Sequence, residues 1–183
     1  MPSLPYITAS LLLLGACTTQ VGGEEATGPD AGDNNLVGVD AGPRPDAKPS
    51  FTGPCEGDAQ FVATDGTCYE YFFQGGDWDA ARVKCQLRGG DLAIIEDDIR
   101  NGVLASLVPT AFPNAWLRGT DAETEGSWTW AGEAMTFTKW RSGEPNNGGG
   151  GENCMILESN QGGSWDDRSC SEINSYICQR DNV

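Results

Sequence analysis

The sequence predicts an α+β domain over residues 55 to 183. Two observations point there. Helix-period segments come early, at 77–90 and 96–109, and only short strand candidates separated by long loops follow them. Six cysteines, Cys55, Cys68, Cys85, Cys154, Cys170 and Cys178, fall in the same region. An even set in an exported chain reads as a disulfide framework, with about fifteen pairings open for six cysteines. The chain has 183 residues, enough for one such domain and appendages.

The elements can be justified in chain order. Tyr6 to Ala16 (YITASLLLLGA) is uncharged and apolar, too short to span a bilayer as a helix but suited to a signal-peptide core. Leu14, Gly15 and Ala16 before Cys17 resemble a bacterial lipobox. That resemblance implies cleavage after residue 16 and lipidation of Cys17. The chain would then be an outer membrane lipoprotein, on the cell surface or the periplasmic face, touching the membrane only through its anchor. The plainer alternative is a secretory signal with a stray cysteine. Residues 1–16 contain no Lys or Arg, a departure from the usual basic start. Thr18 follows Cys17, rather than the Asp linked to inner-membrane retention in well-studied bacteria, which favours the outer membrane. Residues 17–54 are rich in Gly, Pro, Asp and Ala, with a repeated DAG. They lack the apolar content to fold and read as a disordered tether.

From Cys55 aromatic and aliphatic residues appear. CYEYFF (68–73) reads as a strand. In the segment 77–90, Asp77 can cap a helix, Trp78, Ala81 and Cys85 share a face, and Gly89-Gly90 stops it. In 96–109, Ile99, Val103, Leu104 and Leu107 line one side and Pro109 ends the helix. Gly102 inside it is a weak point. Further strands are expected at 115–118, 127–130, 154–157 and 176–179. The loops between about 119 and 170 are too long to be passive connectors.

Charge and composition exclude several functions. The chain has 27 Asp and Glu against 11 Lys and Arg, a formal net charge of −16. Nucleic acid and anionic membrane surfaces are disfavoured, because both need clustered Lys or Arg. There is no histidine. That removes Ser-His-Asp and Cys-His nucleophiles and imidazole zinc sites. Paired carboxylates could serve glycoside chemistry, but here they read better as metal ligands, so no enzyme is expected.

CYEYF, the W..A...C of 78–85, AWLRGTD (115–121), EGSWTWAGEAMTFTKWRSGEPNN (125–147), ENC (152–154), WDD (165–167) and YICQR (176–180) occur in an order that resembles a C-type lectin-like domain of the long-loop, Glu-Pro-Asn kind. The likeness covers Cys55 to Arg180. It implies the pairs Cys85–Cys178, Cys154–Cys170 and an extra Cys55–Cys68. In the chain-entropy model the long loop contributes roughly 4 to 5 kcal/mol and each short one about 3.

By the same resemblance, Glu144, Asn146, Glu152, Asp166 and Asp167 occupy principal Ca²⁺ positions. The residue types agree, since they offer only carboxylate and amide oxygen, which suits calcium's loose six- to eight-fold coordination. The resemblance makes the peptide before Pro145 cis, aiming its neighbours at one point. Glycines 148–151 let the chain double back and bring Glu152 to the site. Asp121, Glu125 and Asn147 match a second calcium site, weakened by Asn153 where a carboxylate is common.

The family binds sugars on the exposed face of that ion. Glu144, Asn146, Glu152 and Asp166 would then contact vicinal hydroxyls, and the Glu-Pro-Asn order implies a mannose, glucose, fucose or N-acetylglucosamine preference. Asp166 departs from the family's Trp-Asn-Asp. An ionised Asp only accepts, so one donor to the sugar is lost. The expected partners are glycans or, alternatively, a surface protein recognised by a calcium-ordered module. Without coiled-coil heptads, a monomer is expected. The tryptophans are expected to pack rather than stack on sugar, with Trp165 beneath the site.

Overall fold

The computed structural model describes residues 53–181. The leader, Cys17 and the tether as far as residue 52 lie outside the described residues.

The aromatic run at 68–73 lies in β2 (Cys68–Gly76), which pairs antiparallel with β1 (Ala59–Val62) and with the last strand, β9 (Asn174–Arg180). Strand β9 also pairs with the two-residue β3 (Asp91–Leu92) and runs parallel to β4 (Asn114–Thr120). From β4 the sheet divides. One branch is β5 (Thr129–Trp130) and β6 (Glu133–Ala134); the other is β7 (Cys154–Glu158) and β8 (Ser164–Arg168). The expected strands at 115–118, 154–157 and 176–179 are present, slightly longer. The expected strand at 127–130 is shorter. β8 falls in what reads as loop, because Asp166, Asp167 and Arg168 are poor strand formers. Pairing of all five β8 residues with β7 overrides that preference.

Helix α1 (Trp78–Leu87) is capped by Asp77, whose carboxylate accepts from the Ala80 N–H at 2.7 Å, and buries Trp78, Ala81 and Cys85 as expected. Helix α2 (Asp98–Leu107) is capped by Asp97. Its buried face differs from the expected one. Leu104 is buried, but Ile99 is 82% exposed and Asn101 points inward at 1%. The reason lies in β8: Trp165 needs a partner for its indole N–H, and Asn101 supplies it at 2.8 Å.

Three disulfides join Cys55–Cys68, Cys85–Cys178 and Cys154–Cys170. The second ties α1 to β9. The third ties the start of β7 to the segment after β8. Beside the first, Glu70 is fully buried and accepts from both Arg88 (2.9 and 3.1 Å) and Arg180 (3.0 and 3.2 Å). A buried carboxylate is tolerable only with such partners.

Candidate metal centre

The site stands where the loop 139–152 meets β8. Trp165 N–H donates to the Lys139 carbonyl at 2.8 Å, and Arg141 N–H donates to the Trp165 carbonyl at 2.8 Å. These bonds lay residues 139–141 alongside β8. Beneath them Trp165, with no exposed surface, meets Trp130, Phe137 and Trp140 edge-on. Trp165 therefore packs under the site as expected, and Trp78, Trp116 and Trp130 are also buried. Trp128 and Trp140 are half-buried, packed edge-to-face against each other.

The chain then turns through Glu144–Pro145, a cis peptide. Glu144, Asp166 and Asp167 converge, each offering an oxygen within 4.8 Å of the others. Asp167 accepts the backbone N–H groups of Asn146 at 3.0 Å and Asn147 at 2.7 Å, which pins the turn to β8. The Asn146 amide donates to the second oxygen of Glu144. Glu152 stands outside the carboxylate trio and accepts the Gly148 N–H at 2.5 Å. Gly148 sits between two candidate ligands: a Cβ there would lie 2.8 Å from Glu152 Oε2 and 3.0 Å from Asn146 Oδ1. A side chain at that position would displace one or both of these side-chain ends. Gly149, Gly150 and Gly151 all have positive φ, consistent with the chain doubling back.

Crowding three carboxylates has an electrostatic consequence. Burial first, then the charge of Asp166, pushes the Glu144 carboxyl above its ordinary range, against the pull of Arg141. The trio offers only carboxylate oxygen and is negatively charged, so its chemistry fits a hard divalent cation such as calcium.

Sequence reasoning missed three participants. Arg141 Nη2 donates to Glu144 Oε1 and Asp166 Oδ2, each at 2.8 Å. Arg168 Nη2 meets the same Asp166 oxygen at 2.7 Å. Glu158, 8% exposed at its side chain, faces Arg141 Nε at 3.3 Å and Arg168 Nη2 at 3.8 Å. Burial raises the Glu158 carboxyl despite Arg141. Reading 164–168 as a strand would have exposed part of this, because period 2 puts Asp166 and Arg168 on one face.

The proposed second site is only partly gathered. Asp121 is 3% exposed; its Oδ2 accepts the Gly126 N–H at 2.8 Å, and its Oδ1 is buried without a hydrogen bond. Asn153 Oδ1 is likewise buried and unbonded. Glu125 is exposed. The Asn147 side-chain oxygen is taken by the loop, accepting from Gly151 N–H at 2.5 Å and Glu152 N–H at 3.0 Å. Among the described residues, Asp121 and Glu125 join no group of three carboxylates like that at Glu144.

The family model for the lectin C-type domain matches residues 74–180. Pulmonary surfactant-associated protein D of Sus scrofa is 38% identical over 105 residues, 55% of this chain and 27% of that protein. Collectin-11 of Bos taurus is 36% identical over 104 residues, 55% of this chain and 38% of that protein. The match thus spans well under half of either relative. Among solved structures, the cow C-type carbohydrate-recognition domain of CD23, determined in the presence of a GlcNAc2Man3 oligosaccharide, superposes with a TM-score of 0.62 at 27% identity, over 73% of this chain and 98% of that one. The two-helix fold, the three disulfides and these likenesses agree, and the chain belongs to the C-type lectin domain family.

Proposed function

We propose that the domain is a non-catalytic module that binds carbohydrate through calcium. The observation that carries this reading is the convergence of Glu144, Asp166 and Asp167 within 4.8 Å, with Asn146 bonded to Glu144 beside them. Glu144, Asn146, Asp166 and Asp167 would hold the ion, and Glu152, beside Gly148, would join them by a side-chain turn. Bound calcium supplies coordination positions that sugar hydroxyls can take. The chain's own part is to accept hydrogen bonds from those hydroxyls on Glu144 and Glu152 and to donate one from Asn146. The Glu144-Pro145-Asn146 order supports a mannose, glucose, fucose or N-acetylglucosamine type of ligand. The relationship to the CD23 domain, crystallised with a mannose-containing oligosaccharide, supports the same class. A second calcium at Asp121 is supported by the two buried, unbonded oxygens of Asp121 and Asn153.

In this reading the leader and Cys17 export and anchor the chain at the outer membrane, residues 17–54 space it from the anchor, and residues 55–183 work as a monomer. A glycan array run with calcium and again with chelator tests the function. A chelator-sensitive signal on mannose- or fucose-type glycans is expected; silence on every glycan would contradict it. Asp166 favours one second reading, a calcium-ordered module recognising protein. Asp166→Asn separates the two, since a gain in sugar binding would mark a lectin site altered at this position.

A further inference from the structure

The two arginines change what Asp166 can do. Taken alone, Asp166 removes a donor from the sugar site and adds a negative charge. In the fold its Oδ2 is capped by Arg141 Nη2 at 2.8 Å and Arg168 Nη2 at 2.7 Å, while Oδ1 makes no hydrogen bond among the described residues. Arg141 and Arg168 together offset the charges of Asp166 and Glu158, which face them. With one cation bound, the site would carry the same net charge as it would with a carboxamide at 166 and none of these three partners.

Arg141 is held in place rather than free on the surface. Its backbone N–H is bonded to Trp165, its Nη2 bridges Glu144 and Asp166, and its Nε faces Glu158. Its Nη1 makes no hydrogen bond among the described residues, and its side chain is 35% exposed. A cationic donor therefore stands at the rim of the carboxylate trio. A guanidinium presents several N–H groups in one plane, so two can be committed inward while others face a ligand.

We propose that Arg141 is the specificity-determining residue of the sugar site. Asp166 and Arg141 divide the work that a single carboxamide at 166 would do: Asp166 Oδ1 faces the cation, and Arg141 Nη1 donates to a sugar hydroxyl. The ligand class is a neutral hexose presenting vicinal hydroxyls. An anionic substituent is disfavoured by the surrounding carboxylates and by the net charge of −16. The inference rests on the lectin reading above.

Four forms of the full chain test it: wild type, Arg141→Gln, Asp166→Asn and the double variant. Each is run on an array of mannose-, glucose-, fucose- and N-acetylglucosamine-terminated glycans with uronate-bearing glycans as controls, and each is titrated with calcium. Arg141→Gln is expected to lose glycan affinity on the order of tenfold or more, with calcium affinity unchanged or higher. The double variant is expected to recover glycan binding, because the amide at 166 restores the donor. A merely structural Arg141 would lower both affinities together and show no such rescue, which would overturn the proposal. Glycan binding retained in Arg141→Gln would overturn it alone, as would wild-type binding confined to uronates. A wild type silent on every glycan would overturn the lectin reading, and this inference with it.

Discussion

Trp165 and Asn101 hold each other across the core. The indole N–H donates to Asn101 Oδ1 at 2.8 Å, and the Asn101 amide donates to the Gly163 carbonyl at 2.9 Å. Helix α2 thereby grips β8 immediately before Asp166 and Asp167. Asn101→Leu leaves two buried groups unpaired, at a cost of about 1 to 3 kcal/mol for each. Urea denaturation should show that loss. Unchanged stability would mean the pair does not fix β8.

Asp167 pins the turn after Pro145 through both backbone N–H groups and is also a proposed ligand. Asp167→Ala should remove both effects. Calcium affinity is expected to fall by roughly tenfold or more, about 1.4 kcal/mol, measured by calorimetry. Asp167→Asn keeps an acceptor but not the charge, so it should restore part of the stability and little of the calcium affinity.

Gly148→Ala should separate binding from folding. The new Cβ would press on Glu152 Oε2 and Asn146 Oδ1, both far ends of movable side chains. Melting temperature is expected to change little, while calcium affinity falls because two proposed ligands are displaced. A parallel loss of both would show that the loop is a structural element first.

Glu70 sets an acid limit on stability. Burial works against its charge, but the hydrogen bonds from Arg88 and Arg180 outweigh it and hold the carboxyl below its ordinary range. A depressed folded-state pKa means the folded protein favours the anion more than the unfolded chain does. The contribution is complete above the unfolded value, about 4.3, and is lost as pH falls through the lower folded value. The stability gap between wild type and Glu70→Gln should therefore be constant near neutrality and shrink below about pH 4. A gap that widens in acid would contradict the sign.

Much of the fold could be read from the sequence, because hydrophobic period, helix caps and motif order are local signals. Asp77, Trp78, Ala81 and Cys85 behaved as their spacing implies, and so did the main strands. The misses have one cause. Ile99 is exposed and Asn101 buried because Trp165, some sixty residues away, recruits the amide. Arg141, Glu158 and Arg168 come together only once β8 is in place, paired with β7 along its charged residues. Long-range pairing of this kind leaves little local trace beyond the alternation that puts Asp166 and Arg168 on one face of β8. The family resemblance pointed to Glu144, Asp166 and Asp167, which the fold brings together; the ion-pair network around Asp166 was not legible.

Glu144, Asn146, Glu152, Asp166 and Asp167 are proposed to hold one calcium. Calorimetric titration of the full chain with calcium, repeated with Asn146→Ala, tests it most directly. The account predicts saturable binding by the wild type that is lost or strongly weakened in the variant. No calcium binding by the wild type, or binding indifferent to Asn146→Ala, would contradict it.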